Sequence, residues 1–225
     1  MTGSQWRVDP QNLRPEPNPQ LLDFSEAVLV PTPQGVFSMQ AWAFADGSEH
    51  ISVQAMTAEG QPVPHELAGI PAVRVHSECA TGDIFGSFRC DCGPQLKQGL
   101  EIIQRIGGYM IYTKNHEGRG IGLVNKLRAY ALQDQGLDTL EANLRLGLGA
   151  DERDYRQTAV ILHRLGLTKI RLITNNPAKE MSLGELGIEI AGLVPDRIEP
   201  RAENARYLET KRDRMNHLLP FSEAE

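Results

Sequence analysis

The chain has 225 residues, 40% of them hydrophobic and 23% charged, with a formal net charge of −6; that length buries a full core, and that balance is ordinary for a globular protein. The acidic surplus excludes a general nucleic-acid binder, whose phosphate contacts need a basic surface, but a locally basic pocket can still take a small anion. No run of roughly eighteen apolar residues is present to span a bilayer, and the polar start has no apolar segment behind a basic one, so no membrane association and a cytoplasmic location are expected.

Residues 1–25 carry Pro10, Pro15, Pro17 and Pro19 and little apolar content, and read as a flexible or extended arm; residues 26–225 read as the folded domain. Short apolar runs at Val28–Val30, Val36–Phe44, Ile51–Met56 and Ala72–Val75, separated by Pro and Gly, predict strands. From Gln95 the texture changes. Leu96, Leu100, Ile103 and Ile106 recur at steps of three and four until Gly107-Gly108, which predicts an amphipathic helix. Tyr109–Tyr112 reads as a buried strand, Ile121–Asp134 as a helix stopped near Gly136, and Tyr155–Leu165 as a helix stopped by Gly166. Lys169–Ile173 follows as a strand, and Asn175-Asn176-Pro177 as a turn with proline at the first helical position. A short helix, a strand at Ile188–Ile190 and a C-terminal helix over Tyr207–Leu219 complete the chain. Strands first, then alternating helices and strands, predict a mixed α+β fold.

All three cysteines fall between residues 79 and 92. An odd, clustered set in an intracellular chain is a poor disulfide framework and a better metal site. Zinc favours thiolates, and three protein ligands leave a fourth position for water, whose pKa the metal lowers to about 7. Three core thiols, or a structural site closed by a histidine such as His76, fit the same spacing.

Downstream, Asn115-His116-Glu117-Gly118-Arg119-Gly120-Ile121-Gly122 follows a strand and opens a helix. Alternate glycines let backbone approach a ligand, and a helix N-terminus favours anions; a tight turn explains the pattern equally. The segment is not a dinucleotide fingerprint, because Leu123 stands where a third glycine belongs, and no phosphate-binding GxxxxGK[ST] loop is present. Asp151-Glu152-Arg153-Asp154 reads as the opening of the third helix, either as acidic capping or as a phosphate contact through Arg153. Thr174-Asn175-Asn176-Pro177 with Lys179 forms a second strand-to-helix turn able to hold an anion.

Several of these strings resemble GTP cyclohydrolase II: Arg74-Val75-His76-Ser77-Glu78-Cys79, Arg89-Cys90-Asp91-Cys92-Gly93, Glu117-Gly118-Arg119-Gly120-Ile121-Gly122-Leu123, Asn125-Lys126, Arg128-Ala129-Tyr130-Ala131-Leu132-Gln133-Asp134, Ala150-Asp151-Glu152-Arg153-Asp154, Thr174-Asn175-Asn176-Pro177 and Tyr207-Leu208-Glu209-Thr210-Lys211. They run in the family's order over about residues 27–219. The resemblance implies hydrolysis of GTP to formate, pyrophosphate and a diaminopyrimidinone ribosyl phosphate, the first step of riboflavin biosynthesis, by a homodimer using zinc and magnesium. It implies Cys79, Cys90 and Cys92 as zinc ligands. Arg74, Glu78, Gln95, Glu117, Gly118, Arg119, Thr139, Thr174 and Lys179 match nucleotide-binding positions. Asp151 matches a proposed proton acceptor, Arg153 a proposed nucleophile towards the α-phosphate, and Tyr130 a residue near the reacting ring. A guanidinium stays protonated, so a transition-state clamp on the α-phosphate is the physically better role for Arg153.

The chain also departs from the family pattern. Asn115-His116 stands where members usually carry Arg-Gln, and Met215-Asn216-His217 replaces Met-Gly-His. Two other expectations therefore accompany the full reaction: a relative with the same metal chemistry that retains a formamide or uses another nucleotide, and a non-catalytic nucleotide-binding homologue.

Overall fold

In the computed structural model, which describes residues 19–149, 151–196, 198 and 201, the apolar runs become strands of one mixed sheet. They are β1 (Leu21–Phe24), β2 (Val28–Thr32), β3 (Gly35–Phe44), β4 (Glu49–Met56), β5 (Ala72–Ser77), β6 (Gly108–Thr113), β7 (Lys169–Ile173) and β8 (Glu189–Val194). The helices are α1 (Ala80–Asp83), α2 (Cys92–Ile106), α3 (Gly122–Gln133), α4 (Thr139–Arg145), α5 (Arg156–Arg164) and α6 (Pro177–Glu185). The sheet order is β1-β3-β4-β6-β5-β7-β8, with β2 also paired to β3. β6 joins two halves: it runs antiparallel to β4 and parallel to β5.

Side chains alternate across a strand, and that alternation assigns the two cores. Val73 and Val75 of β5 and Ile111 of β6 face a cluster built with Ile161 and Leu162 of α5 and Leu183 of α6. Ala72 and Met110 face the opposite cluster, with Ile102, Ile103 and Ile106 of α2. Helices therefore cover both faces of the parallel half. α2 ends at Gly107, whose φ of +74° a residue with a side chain rarely adopts and whose Cβ would sit 2.2 Å from the Pro64 carbonyl oxygen. Gly107-Gly108 thus stops the helix and admits β6 alongside β5 in one step.

The parallel half places the site. β5, β6 and β7 run the same way, so Ser77, Thr113 and Ile173 end at one edge of the sheet. Each is followed by a segment with chemical potential: Glu78-Cys79, Asn115–Gly122 and Thr174–Pro177. Ligand sites of open α/β sheets lie at the carboxyl ends of parallel strands.

Two details differ from the sequence reading, and two expectations fall outside the described residues. Leu21–Phe24, placed within the arm, pair antiparallel with Trp42–Phe44 as β1. Residues 1–18 of that arm, and the C-terminal helix expected over Tyr207–Leu219, lie outside the described residues. Asp151 does not open a helix: residues 151–155 are irregular and α5 starts at Arg156, so its carboxylate is available to a side chain rather than to the helix dipole.

Candidate active site

The short α1 begins directly after Cys79, and α2 begins at Cys92, so the two helix starts bring the cysteines together. Two glycines make the approach possible. A Cβ on Gly93 would lie 2.4 Å from the Gly82 carbonyl oxygen, and one on Gly82 would lie 2.8 Å from Cys90 Sγ and 3.2 Å from Cys79 Sγ. The sulfurs of Cys79, Cys90 and Cys92 all fall within 4.8 Å of one another, with Cys79 and Cys90 3.7 Å apart. Among the described residues no fourth His, Cys, Asp or Glu joins the trio. His76 does not close it. Its Nε2 lies 3.2 Å from both Asp83 carboxylate oxygens, and its ring stacks on Tyr112. Three soft donors in a glycine-lined cradle, with no fourth ligand beside them among the described residues, could hold a thiophilic metal ion.

One thiol is prepared for ionisation. Cys79 is held well below the usual thiol range, first by hydrogen bonds from the Cys90 and Cys92 thiols and then by Lys126. Lys126 Nζ donates to Cys79 Sγ at 3.0 Å and to Glu117 Oε1 at 2.6 Å. The other Glu117 oxygen accepts from the Ala80 amide at 2.6 Å. Both side chains are more than nine-tenths buried, and breaking such a pair leaves an uncompensated charge. Lys126→Met is therefore expected to cost about 3–5 kcal/mol in stability. The double variant Glu117→Gln/Lys126→Met should recover most of that loss, as read by denaturant unfolding.

The same cleft is basic elsewhere. Arg74, Arg119, Lys126, Arg153 and Lys179 line it, against the carboxylates of Glu78 and Asp196, on a chain whose net charge is −6. Arg74 donates to the Ile173 carbonyl oxygen at 3.1 Å and to Gln95 Oε1 at 2.9 Å, and it pairs with Asp196 at 2.7 Å. Lys179, in the first turn of α6, is buried and donates to the Val75 carbonyl oxygen at 2.7 Å. Burial, followed by the fields of Arg74 and Arg153, pushes its pKa well below the usual lysine range; a bound anion would favour its charged form. Thr174 is buried beside it and accepts from the Asn176 amide at 3.0 Å. Asn176 caps α6 through the Ala178 amide, with Pro177 at the first helical position. Backbone amides and cations here converge as in anion sites at helix starts.

Arg153 is held in a fork. Its Nε donates to Asp151 Oδ1 at 2.8 Å, its Nη2 to the other Asp151 oxygen, and its Nη1 to Ser77 Oγ at 3.4 Å. Burial raises the Asp151 pKa, but hydrogen bonds from Arg153 more than offset it, so the carboxyl lies below its usual range.

The GTP cyclohydrolase II family profile matches residues 24–195. The chain belongs to the GTP cyclohydrolase II family. The riboflavin biosynthesis protein RibBA of Salinispora arenicola is 51% identical over 199 residues, covering 86% of this chain and 45% of that protein. The RibBA proteins of Nocardia farcinica and Phocaeicola vulgatus are 49% and 47% identical, over 89% and 90% of this chain and 47% and 48% of their own lengths. The chain thus spans a little under half the length of these relatives. A crystal structure of RibBX, a two-domain 3,4-dihydroxy-2-butanone 4-phosphate synthase from A. baumannii, matches at a TM-score of 0.31 and 19% identity, over 73% of this chain and 36% of that one. That likeness is too slight to bear on fold or function.

In this member of the GTP cyclohydrolase II family, most of the residues singled out from sequence meet in one place. Beyond the cysteines and the cations, Glu78, Gln95, Gly118, Tyr130, Thr139 and Thr174 all line the cleft. Tyr130 lies under the Arg89 guanidinium, 4.2 Å from its ring centroid. Two stand behind the wall. Glu117 is turned to Lys126 and the Ala80 amide, and Asp151 to Arg153. Sequence reasoning gave no role to Lys126, Ser77, His116 or Asp196, although the first two stand in family-like strings and His116 in a departure from the family pattern. For Lys126 a signal existed: it shares a face of α3 with Ala129, Tyr130 and Gln133, which all line the cleft and recur at helical spacing.

Within the described residues, no helix is long and apolar enough to cross a membrane.

Proposed function

We propose that the cleft binds GTP and that the chain hydrolyses it as GTP cyclohydrolase II, opening the guanine imidazole ring. The products are formate, pyrophosphate and 2,5-diamino-6-(5-phosphoribosylamino)pyrimidin-4(3H)-one, at the first step of riboflavin biosynthesis. One observation carries the reading: three clustered thiols and a set of buried and half-buried cations line the same cleft. The thiols suit the metal that the family uses, and the cations suit a triphosphate.

Cys79, Cys90 and Cys92 would hold the zinc, which supplies a Lewis acid that makes water nucleophilic near neutral pH. Lys126 neutralises part of the thiolate charge at Cys79. Lys179, Thr174 and the first turn of α6 would bind phosphate oxygens, with magnesium accompanying the triphosphate. Arg153, aligned by Asp151, would clamp the α-phosphate as charge develops there. Tyr130 would bound the space for the base. Three waters are consumed: one at C8 breaks the C8–N9 bond and opens the ring to a formamide, a second splits the formamide to release formate, and a third cleaves the α–β phosphoanhydride, where pyrophosphate leaves. A cytoplasmic homodimer is part of the same proposal.

The test is to incubate zinc-loaded protein with GTP and magnesium, then measure formate, pyrophosphate and the pyrimidine by absorbance and mass. Equal formate and pyrophosphate release is expected. Pyrophosphate without formate would identify the formamide-retaining relative. GTP that binds but stays intact would leave only a nucleotide-binding homologue.

A further inference from the structure

His116 lies in the loop between β6 and α3 and is buried. Its Nε2 is 2.9 Å from the Asp154 backbone oxygen, and its Nδ1 is 3.1 Å from Ser77 Oγ. A backbone carbonyl only accepts, so Nε2 carries the proton and Nδ1 is the acceptor. Ser77 must then donate to Nδ1, which leaves its lone pairs for the donor on its other side. That donor is Arg153 Nη1, at 3.4 Å. The imidazole also meets the Tyr155 ring edge-on, with centroids 5.1 Å apart and planes at 87°. The Arg153 guanidinium carbon sits 5.9 Å from the centroid of that same ring. Burial pushes the His116 pKa down to about 3, which keeps the ring neutral and the tautomer fixed.

Three supports of Arg153 thus run through one side chain: the hydroxyl it donates to, the ring it lies beside and the carbonyl of the next residue in the chain. We propose that His116 is a positioning residue for Arg153, setting the Ser77 hydroxyl and the Asp154–Tyr155 backbone so that the guanidinium faces the phosphate. The inference rests on the reading of the cleft as a GTP site, and it gives His116, in the wall of that cleft, a role that acts through Arg153.

A cycle of variants tests it. His116→Leu removes both hydrogen bonds at similar size. His116→Gln restores them, because the carboxamide offers an acceptor and a donor at a spacing close to that of the two imidazole nitrogens. His116→Leu is expected to lower kcat on the order of 10- to 100-fold, with a KM change of less than about threefold, because misaligned clamping acts on the transition state. His116→Gln should recover most of that loss. In an Arg153→Ala background, His116→Leu should cause almost no further loss, because the group it positions is gone. Equal losses in both backgrounds, a glutamine variant as impaired as leucine, or wild-type kcat in His116→Leu would each overturn the inference. If wild-type protein does not turn GTP over, the functional reading fails, and the positioning role is read instead from the Arg153 Nε–H resonance, where a shift in His116→Leu that His116→Gln reverses is expected and an unchanged resonance in His116→Leu would overturn the role.

Discussion

Cys90→Ser is expected to abolish both metal retention and GTP ring opening while leaving the fold in place. The reason lies in where the cysteines stand. Neither hydrophobic cluster contains a cysteine, so the sheet and its covering helices do not depend on the trio. Serine differs by one atom, and the metal-free protein should lose only about 1 kcal/mol. The metal site loses far more, because a neutral hydroxyl replaces a thiolate among only three donors. Bound zinc per chain, measured after dialysis, should fall from about one to near zero. Turnover should fall at least about 10³-fold, since a Lewis acid contributes several kcal/mol to such a transition state. Thermal unfolding separates the two effects. Zinc at a hundredfold excess over its dissociation constant should stabilise wild-type protein by about 2.7 kcal/mol and the variant by almost nothing. A variant that keeps zinc and activity would show that Cys90 is a core thiol.

Arg153→Ala carries the second large effect. The guanidinium donates through Nε and Nη2 to Asp151 and through Nη1 to Ser77. A group held in this way stays protonated, and a protonated guanidinium is no nucleophile. Its contribution is then charge and direction, worth roughly 10²–10³ in kcat when a developing oxyanion loses one such donor. Arg153→Lys should rescue little, because an ammonium cannot both engage the Asp151 carboxylate in a fork and reach past it to an anion. Single-turnover kinetics with GTP read both variants directly. A covalent nucleotide adduct trapped on wild type and lost in Arg153→Lys would contradict the clamp.

Much of the fold was legible because it rests on periodic burial. β7 was predicted residue for residue, and α2 was marked by its three- and four-residue spacing and its glycine stop. α6 was announced by Asn176-Pro177, whose cap and first-turn roles the structure shows. What escaped was short or held by distant partners. β1 has four residues beside prolines and exists by pairing with Trp42–Phe44. α4 is too brief to show a period, although Asp138 and Glu141 form a capping box that the sequence displays.

The site divides along the same line. The donor atoms were readable in Cys79, Cys90 and Cys92, but their closure was not. Whether His76 completes the set depends on Asp83 and Tyr112 turning its ring aside, which no spacing reveals. Lys126 shows in sequence only as part of a family-like Asn125-Lys126 pair, and its burial against Cys79 and Glu117 depends on where β5 and the loop after β6 bring those partners. Asp151 reads as a helix-start acid until α5 is seen to begin later.

X-ray absorption at the zinc edge tests the central arrangement most directly, on the 225-residue chain loaded with one equivalent of zinc. Three sulfurs at about 2.3 Å and a single light scatterer at about 2.0 Å are expected, with the light atom replaced when a competing anion such as cyanide is added. A spectrum showing fewer than three sulfurs, or the outer-shell pattern of a coordinated imidazole, would contradict an open site built from Cys79, Cys90 and Cys92.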